Sequence, residues 1–230
     1  MALKKARAGT RKQTGGVRLG DIAYARILET LFERKITAGA FHSQSELVEL
    51  VGVPVAPLRD ALKLLEAEGI VTIHQRSGIQ FVRPGFELTR ATYQYRGIIE
   101  GAAAAVYAET ADESEINELE KRHLELIATI EHDGLSDACK EVVEELETMF
   151  HNAVVGSLAN PLIDRSHRRL HNYVRLIRLD RVVTTPLVLR SLREHLNVII
   201  ACKARDSKAA SEAMQAHLSA ALQRGLGLYG

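Results

Sequence analysis

The most constraining feature of the sequence is a short helix bracketed by prolines and glycines within residues 51–70. Its apolar residues recur at the spacing of an amphipathic helix with one buried stripe: Leu58, Ala61, Leu62 and Leu65. Pro54 and Pro57 define where this helix begins, because a first helical turn tolerates proline, whose missing N–H would be unpaired there. Since Gly69 is a stop signal, the pattern predicts a helix over residues 56–68.

Two helices and a hairpin surround this segment. Residues 22–34 have a helical spacing of apolar side chains, and Ser43 with Glu46 forms a capping-box pattern that predicts a second short helix. Two β-branched runs, at residues 70–73 and 79–82, flank a turn and predict a hairpin. This order is that of a winged helix-turn-helix, in which the proline-bracketed helix would present its N-terminal end to the major groove of DNA.

A proline–glycine pair at residues 84–85 marks a change in the chain, after which only helical patterns of comparable length appear. Turn and cap signals divide this part into helices predicted at residues 89–109, 112–131, 136–156, 160–179, 185–204 and 206–227. The predicted fold is therefore mainly α: an N-terminal winged helix-turn-helix with a small β-hairpin, followed by an all-α antiparallel helical bundle.

Charge is distributed unevenly along the chain. Residues 1–20 carry six basic side chains and no acid, and because the net charge is +1, the rest sums to −5, that is +1 less 6. Such an arm is typical of a disordered segment that touches nucleic acid, although a solubilising tail has the same composition. The expected domains are a flexible basic arm (1–18), a winged helix-turn-helix domain (19–84) and a helical domain for effector binding, metal binding and dimerisation (85–230).

The composition indicates a cytoplasmic protein with no membrane partner. No apolar run approaches the roughly 18–20 residues of a membrane helix, and the basic N-terminus lacks the apolar core of a secretory signal. Cys139 and Cys202 stand far apart and form no CxxC, which favours a reducing compartment.

Residues 36–81 resemble the winged-helix domain of GntR-type bacterial transcriptional regulators. The helical half is similar to the FCD ligand-sensing domain of the FadR subfamily, through three patterns: residues 96–109 (RGIIEGAAAAVYAE), 147–163 (ETMFHNAVVGSLANPLI) and 194–218 (EHLNVIIACKARDSKAASEAMQAHL). The likeness covers about residues 19–224. It implies a homodimer that binds operator DNA of two half-sites, responds to a small carboxylate effector and, as in many members, holds a divalent metal through an aspartate and three histidines.

The family's metal pattern begins with an acid four residues before a histidine, which here are Glu147 and His151 on one helix face. The remaining ligands correspond to His195 and His217. Such a set suits zinc, with nickel or manganese also compatible. Glutamate stands where the family usually has aspartate, which moves the carboxylate by roughly 1.5 Å. The alternative is that Glu147 is a solvated acid and that the histidines are ordinary packed or surface residues.

Two other features of the helical half have more than one interpretation. His167 and His171 also stand at i and i+4, but among arginines whose charge opposes a cation, so a solvated or interface face is expected. Arg96 corresponds to an effector-binding arginine of the family, whose planar fork grips a carboxylate. A salt bridge between Arg96 and Glu100, at i+4, is the alternative role.

The candidate DNA-binding residues lie on the third helix and in the wing: Arg59, Lys63, His74, Gln75, Arg76 and Gly78. The segment around them is not basic, since residues 21–84 hold seven Lys/Arg and eight Asp/Glu, a net of −1. The third helix opens with Pro54, Val55, Ala56 and Pro57 where the family commonly has Ser-Arg-Thr-Pro. We therefore expect an operator unlike the family's usual one, with the basic arm contributing to affinity.

The alternative function is a metal-dependent hydrolase built on the bundle, because three histidines and a carboxylate can activate water if one coordination position stays open. No further acid is recognisably placed as a general base, and the sequence has no HExxH, no GxSxG and no glycine-rich phosphate loop. A third interpretation is a regulator whose ligand is the metal itself. The sequence thus favours a regulator over an enzyme.

Overall fold

The computed structural model describes residues 18–179 and 181–228. Nearly all of the predicted basic arm lies outside these residues. The chain forms two compact units, one that extends to Val82 and one that begins at Arg83.

From residue 18 onward, where the structure describes it, the first unit contains three helices and a small sheet. Its elements are α1 (Leu19–Phe32), β1 (Phe41–His42), α2 (Gln44–Val51), α3 (Val55–Ala67), β2 (Val71–His74) and β3 (Gly78–Phe81). The apolar stripe of α3 is fully buried, and it packs against α1, α2 and β2. The amphipathic spacing in the sequence therefore produces the core of this unit.

The predicted caps explain where the short helices begin and end. The Ser43 hydroxyl accepts a hydrogen bond from the Glu46 backbone N–H (3.2 Å), and the Glu46 carboxylate accepts one from the Ser43 N–H (2.7 Å). Gly52 ends α2 in the left-handed conformation, with a φ of 67°. Pro54 is the N-cap of α3. The capping box and the proline boundary are thus confirmed.

The sheet has one strand more than the predicted hairpin. β2 pairs with β3 in antiparallel register, with Ile73 opposite Ile79, and β1 pairs with the other edge of β3. A strand of two residues is too short to produce an alternating pattern, which is why the sequence does not reveal it. Gly78 has a φ of +98°, and a Cβ there would lie 2.5 Å from the carbonyl oxygen of His42. Glycine is therefore required where β1 meets β3.

The second unit is a helical bundle. Its helices are α4 (Phe86–Thr110), α5 (Glu113–Asp133), α6 (Asp137–Gly156), α7 (Pro161–Leu179), α8 (Thr185–Lys203) and α9 (Ser207–Leu226). Helix α4 packs against α6, α7, α8 and α9, and the largest buried side chains of the bundle core include Tyr107 of α4 and Phe150 of α6. The predicted mainly-α fold, a winged helix-turn-helix followed by a helical bundle, is confirmed. Among the helices that the structure describes, none is long and apolar enough to cross a membrane.

Candidate metal and effector site

Three histidines from three helices meet inside the bundle. His151 lies on α6, His195 on α8 and His217 on α9, and one nitrogen of each lies within 4.8 Å of the others. All three side chains are buried. Each sits in the apolar stripe of its helix, so the packing that buries the stripes also turns the imidazoles inward. We call these residues the histidine triad.

A carboxylate orients one member of the triad. The Nδ1 atom of His217 lies 2.9 Å from the Glu194 carboxylate, which also accepts two hydrogen bonds from the Arg224 guanidinium (2.8 and 2.7 Å). Burial opposes ionisation of Glu194, but His217 and Arg224 outweigh it and lower its pKa to about 2. The ionised carboxylate therefore accepts a hydrogen bond from Nδ1–H of His217, which leaves the Nε2 lone pair of the neutral ring facing the triad.

A second carboxylate approaches His151. The Nδ1 atom of His151 lies 2.7 Å from Glu100 Oε2, and Glu100 is fully buried beside the guanidinium of Arg96, with Nε–Oε1 at 2.5 Å. Neither ring nitrogen of His151 has a well-aligned hydrogen-bond partner among the described residues. Because Glu100 stands at Nδ1, the unpartnered Nε2 is the nitrogen available to a ligand.

The third member lies between two other rings. The Nε2 atom of His195 is 3.2 Å from Nε2 of His217, and its Nδ1 is 3.1 Å from Nε2 of His123. The Nδ1 atom of His123 is 2.7 Å from the carbonyl oxygen of Leu119. The triad therefore continues into a fourth imidazole that no pattern in the sequence indicates.

Burial sets the charge of the triad. It is the main cause that lowers the pKa of His151 to about 3, that of His195 well below its ordinary value, and that of His217 below its ordinary value. The three rings are therefore neutral near pH 7. Neutral imidazole is the form that coordinates a metal ion.

Glu147, the predicted carboxylate ligand, points to other partners. Its carboxylate forms an ion pair with Arg178 and accepts a hydrogen bond from the Ser191 hydroxyl (3.3 Å). Burial alone would raise the pKa of Glu147, but the Arg178 guanidinium lowers it to about 2. Glu147 is 7% exposed, which excludes the solvated acid as an interpretation. The atoms within 4.8 Å of one another come from the three histidines and not from Glu147.

Arg96 forms a salt bridge with Glu100, the role that the sequence offered as the alternative to effector binding. The side chains of Arg96 and Glu100 are 5% and 0% exposed, and a second contact of 3.2 Å makes the pair bidentate. Burial would raise the pKa of Glu100, but Arg96 and His151 together lower it well below its ordinary value. Both groups are therefore charged, and any effector at Arg96 must share the guanidinium with Glu100.

A solvated or interface face was expected at His167 and His171, and the structure contradicts this for His167, which lies inside the bundle. His167 is buried, and its Nε2 lies 3.4 Å from Glu100 Oε1. His171 is half-buried, and burial is the main cause that lowers its pKa to about 4. The arginines that suggested a solvated face occupy other sides of α7, since Arg165, Arg168 and Arg169 are exposed.

The predicted DNA-contacting residues lie on α3 and in the β2–β3 hairpin. Arg59 and Lys63 are exposed on α3, and Arg59 Nε donates a hydrogen bond to the side chain of Gln44 (2.9 Å). In the wing, Gln75 and Arg76 are exposed. His74, at the end of β2, contacts the side chain of Gln80 (3.3 Å).

A winged helix-turn-helix followed along the chain by a helical bundle is the architecture of a class of DNA-binding regulators. Residues 19–81 match the gntR family of bacterial regulatory proteins, and residues 91–220 match the FCD domain. The chain belongs to the GntR family of transcriptional regulators, in the branch that carries an FCD domain. The hydrolase alternative is not favoured, because the families and relatives that match are regulators and not enzymes.

Two proteins and one solved structure are similar to this chain over most of its length. The chain is 24% identical over 196 residues to the uncharacterized HTH-type transcriptional regulator YdhC of Bacillus subtilis (strain 168). The aligned residues cover 85% of this chain and 86% of YdhC. The chain is 28% identical over 182 residues to the HTH-type transcriptional repressor GlaR of Escherichia coli (strain K12), spanning 76% and 80% of the two chains. The structure of E. coli McbR/YncC has the same fold, with a TM-score of 0.75 at 16% identity over 94% of this chain and 100% of that chain.

Proposed function

We propose that the protein is a cytoplasmic regulator that binds operator DNA as a homodimer and senses a small carboxylate through a divalent metal held in the FCD domain. The histidine triad is the observation that supports this proposal, because three neutral imidazoles converge in a bundle interior with an Nε2 atom left unpartnered. Burying a polar ring nitrogen without a partner lowers the stability of the folded state.

The donor set fits a metal ion. His151, His195 and His217 would hold it, and three imidazole nitrogens suit zinc, with nickel or manganese also compatible. Glu147 lies one helical turn before His151 and would have to leave Arg178 to become a fourth ligand. When bound, the ion would supply a Lewis-acid anchor for a carboxylate. Some FCD domains bind metal, which agrees with this proposal.

Two arginines could support the effector beside the ion. Arg96, the predicted effector-binding residue, is almost wholly buried against Glu100. The side chain of Arg178 is 40% exposed and is paired with Glu147. A carboxylate that reached the metal would compete with Glu100 or Glu147 for a guanidinium, so effector binding would rearrange the contacts between α4, α6 and α7.

We expect a small carboxylate to raise the melting temperature of the zinc-loaded protein beyond the value with zinc alone. Ligand at 100 times its Kd stabilises the folded state by about 2.7 kcal/mol. The measurement is a thermal-shift series with lactate, malonate and succinate, and lactamide is the matched control because it lacks the negative charge. If no carboxylate exceeds lactamide, the carboxylate part of the proposal fails, and the metal itself becomes the favoured ligand.

DNA recognition would involve the exposed N-terminal end of α3. Val55 is 42% exposed there, next to the exposed Ala56, and apolar side chains in the major groove contact the methyl group of thymine. Because residues 21–84 carry a net charge of −1, the basic arm would add phosphate contacts to those of Arg59, Lys63 and Arg76. We therefore propose that each half-site contains a thymine opposite Val55.

The test is fluorescence anisotropy, over a salt series, on DNA selected from a random library by the full chain. We expect saturable, sequence-selective binding, and replacing the critical thymine by deoxyuracil should weaken binding about fourfold per lost methyl. Val55→Ala should weaken binding to thymine DNA but not to deoxyuracil DNA. Leu64→Ala is the matched control, because Leu64 is 50% exposed but lies two and a half turns later, on the other side of the helix.

The outcomes separate two failures. Sequence-selective binding whose affinity does not change when deoxyuracil replaces thymine would exclude the role of Val55 but would still support operator binding. Binding without any sequence selection would contradict the operator-binding proposal itself.

A further inference from the structure

His123 is a fourth buried histidine, and it lies directly behind the triad. It belongs to α5 and is fully buried. Its ring stands edge-to-face to the rings of Phe150 and His195, with centroids 5.7 and 5.3 Å apart. The metal pattern that the sequence indicates does not include it.

Four contacts connect His123 to the triad in one line. They run from the Leu119 carbonyl oxygen to His123 Nδ1 (2.7 Å), from His123 Nε2 to His195 Nδ1 (3.1 Å), from His195 Nε2 to His217 Nε2 (3.2 Å), and from His217 Nδ1 to the Glu194 carboxylate (2.9 Å). The groups at the two ends of the line, a carbonyl oxygen and an ionised carboxylate, can only accept hydrogen bonds.

Counting protons along this line shows where a cation fits. Three neutral imidazoles carry one N–H each, so three protons must serve four contacts, and one contact always has two facing lone pairs. If each ring donates from Nδ1, the two end contacts and the contact between His123 and His195 are all satisfied. The facing lone pairs are then those of His195 Nε2 and His217 Nε2. Among the arrangements of these three protons, this is the one that satisfies the other contacts and leaves Nε2 of both His195 and His217 free to coordinate an ion.

We propose that His123 is a positioning residue for the metal: its Nε2 accepts a hydrogen bond from Nδ1–H of His195 and thereby holds the His195 Nε2 lone pair toward the ion. The inference rests on the metal proposed above. It assigns to His123 the role that Glu194 has for His217, namely that of the outer partner that fixes the tautomer of a ligand.

The experiment compares the zinc affinity of His123→Gln and His123→Phe with that of the wild-type full chain, by competition with a chromogenic chelator. A glutamine can donate its amide N–H to Leu119 and accept from His195 Nδ1, whereas phenylalanine can do neither. We expect His123→Gln to stay within about threefold of wild type and His123→Phe to lose about 10- to 100-fold. His132→Phe, on the exposed end of the same helix, should have no effect.

Two results would overturn the role of His123. One is equal zinc affinity of His123→Phe and wild type; the other is an equal loss in both variants, which would indicate that only the shape of the imidazole matters. Should His123→Phe fail to fold, nitrogen-15 NMR of the zinc-loaded wild type decides, since the inference requires the proton of His195 on Nδ1 and the metal on Nε2. A wild-type chain that binds no zinc, nickel or manganese would instead remove the metal proposal, and this inference with it.

Discussion

Replacing Glu100 by alanine is expected to lower the free energy of unfolding by about 3–5 kcal/mol, the usual cost of removing one partner from a buried ion pair. The Arg96 guanidinium would stay behind, 4% exposed, without the carboxylate that now accepts its two hydrogen bonds at 2.5 and 3.2 Å. His151 and His167 would lose the same carboxylate. The measurement is urea unfolding of the metal-free protein in the presence of a chelator.

Two controls test whether the cost comes from the charge left unpaired. Glu125→Ala breaks an i, i+4 pair with Lys121 whose side chains are both 64% exposed, and it should cost no more than about 0.5 kcal/mol. The double variant Arg96→Met with Glu100→Leu removes both charges and should recover most of the loss. A double variant as unstable as Glu100→Ala alone, or a single variant that costs less than about 1 kcal/mol, would contradict this explanation.

Removing a triad histidine should abolish stabilisation by metal. Zinc at 1,000 times its Kd would stabilise the wild type by about 4.1 kcal/mol. His195→Ala would leave two of the three nitrogens that lie within 4.8 Å of one another, so the zinc-dependent rise in melting temperature should disappear at the same zinc concentration. Melting curves with and without zinc, together with elemental analysis of the purified protein, measure this directly.

Matched variants identify the ligands. His132→Ala should keep the full zinc response, because the side chain of His132 is 86% exposed. Glu147→Ala distinguishes the predicted four-ligand set from the triad, since a loss as large as that of His195→Ala would make Glu147 a ligand. A His195→Ala protein with the wild-type zinc response would end the metal proposal.

The elements that the sequence predicted well are those with local signals. Three local signals act within a few residues of themselves: the capping box at Ser43, Pro54 before α3, and Asp206, which begins the last predicted helix and is the N-cap of α9. Each predicted a boundary to within about two residues. The bundle helices are long and separated by clear turn signals, so their periodicity was readable. The two-residue strand β1 had no such signal, because its pairing with β3 involves residues almost forty positions later.

The resemblance to the family indicated three histidines and a carboxylate as candidate ligands, but the sequence did not indicate which side chains pair with them inside the bundle. The spacing of Glu147 and His151 shows that both lie on one face of α6, but it cannot show that Arg178, 31 residues later, would take the carboxylate. His123 and His195 are 72 residues apart, and Glu194 reaches His217 across 23. No helical period relates such positions.

The sequence by itself determined the helices and the winged helix-turn-helix, because periodicity and caps are properties of neighbouring residues. Its resemblance to a family indicated His151, His195 and His217 as candidate metal ligands. Only the tertiary structure decided which polar groups from different helices meet inside the bundle: Glu100 with His151, Arg178 with Glu147, and His123 with His195. The physical reason is that burial and pairing depend on which helices pack against each other. A buried ionisable group takes its partner from whichever neighbouring helix brings one within reach.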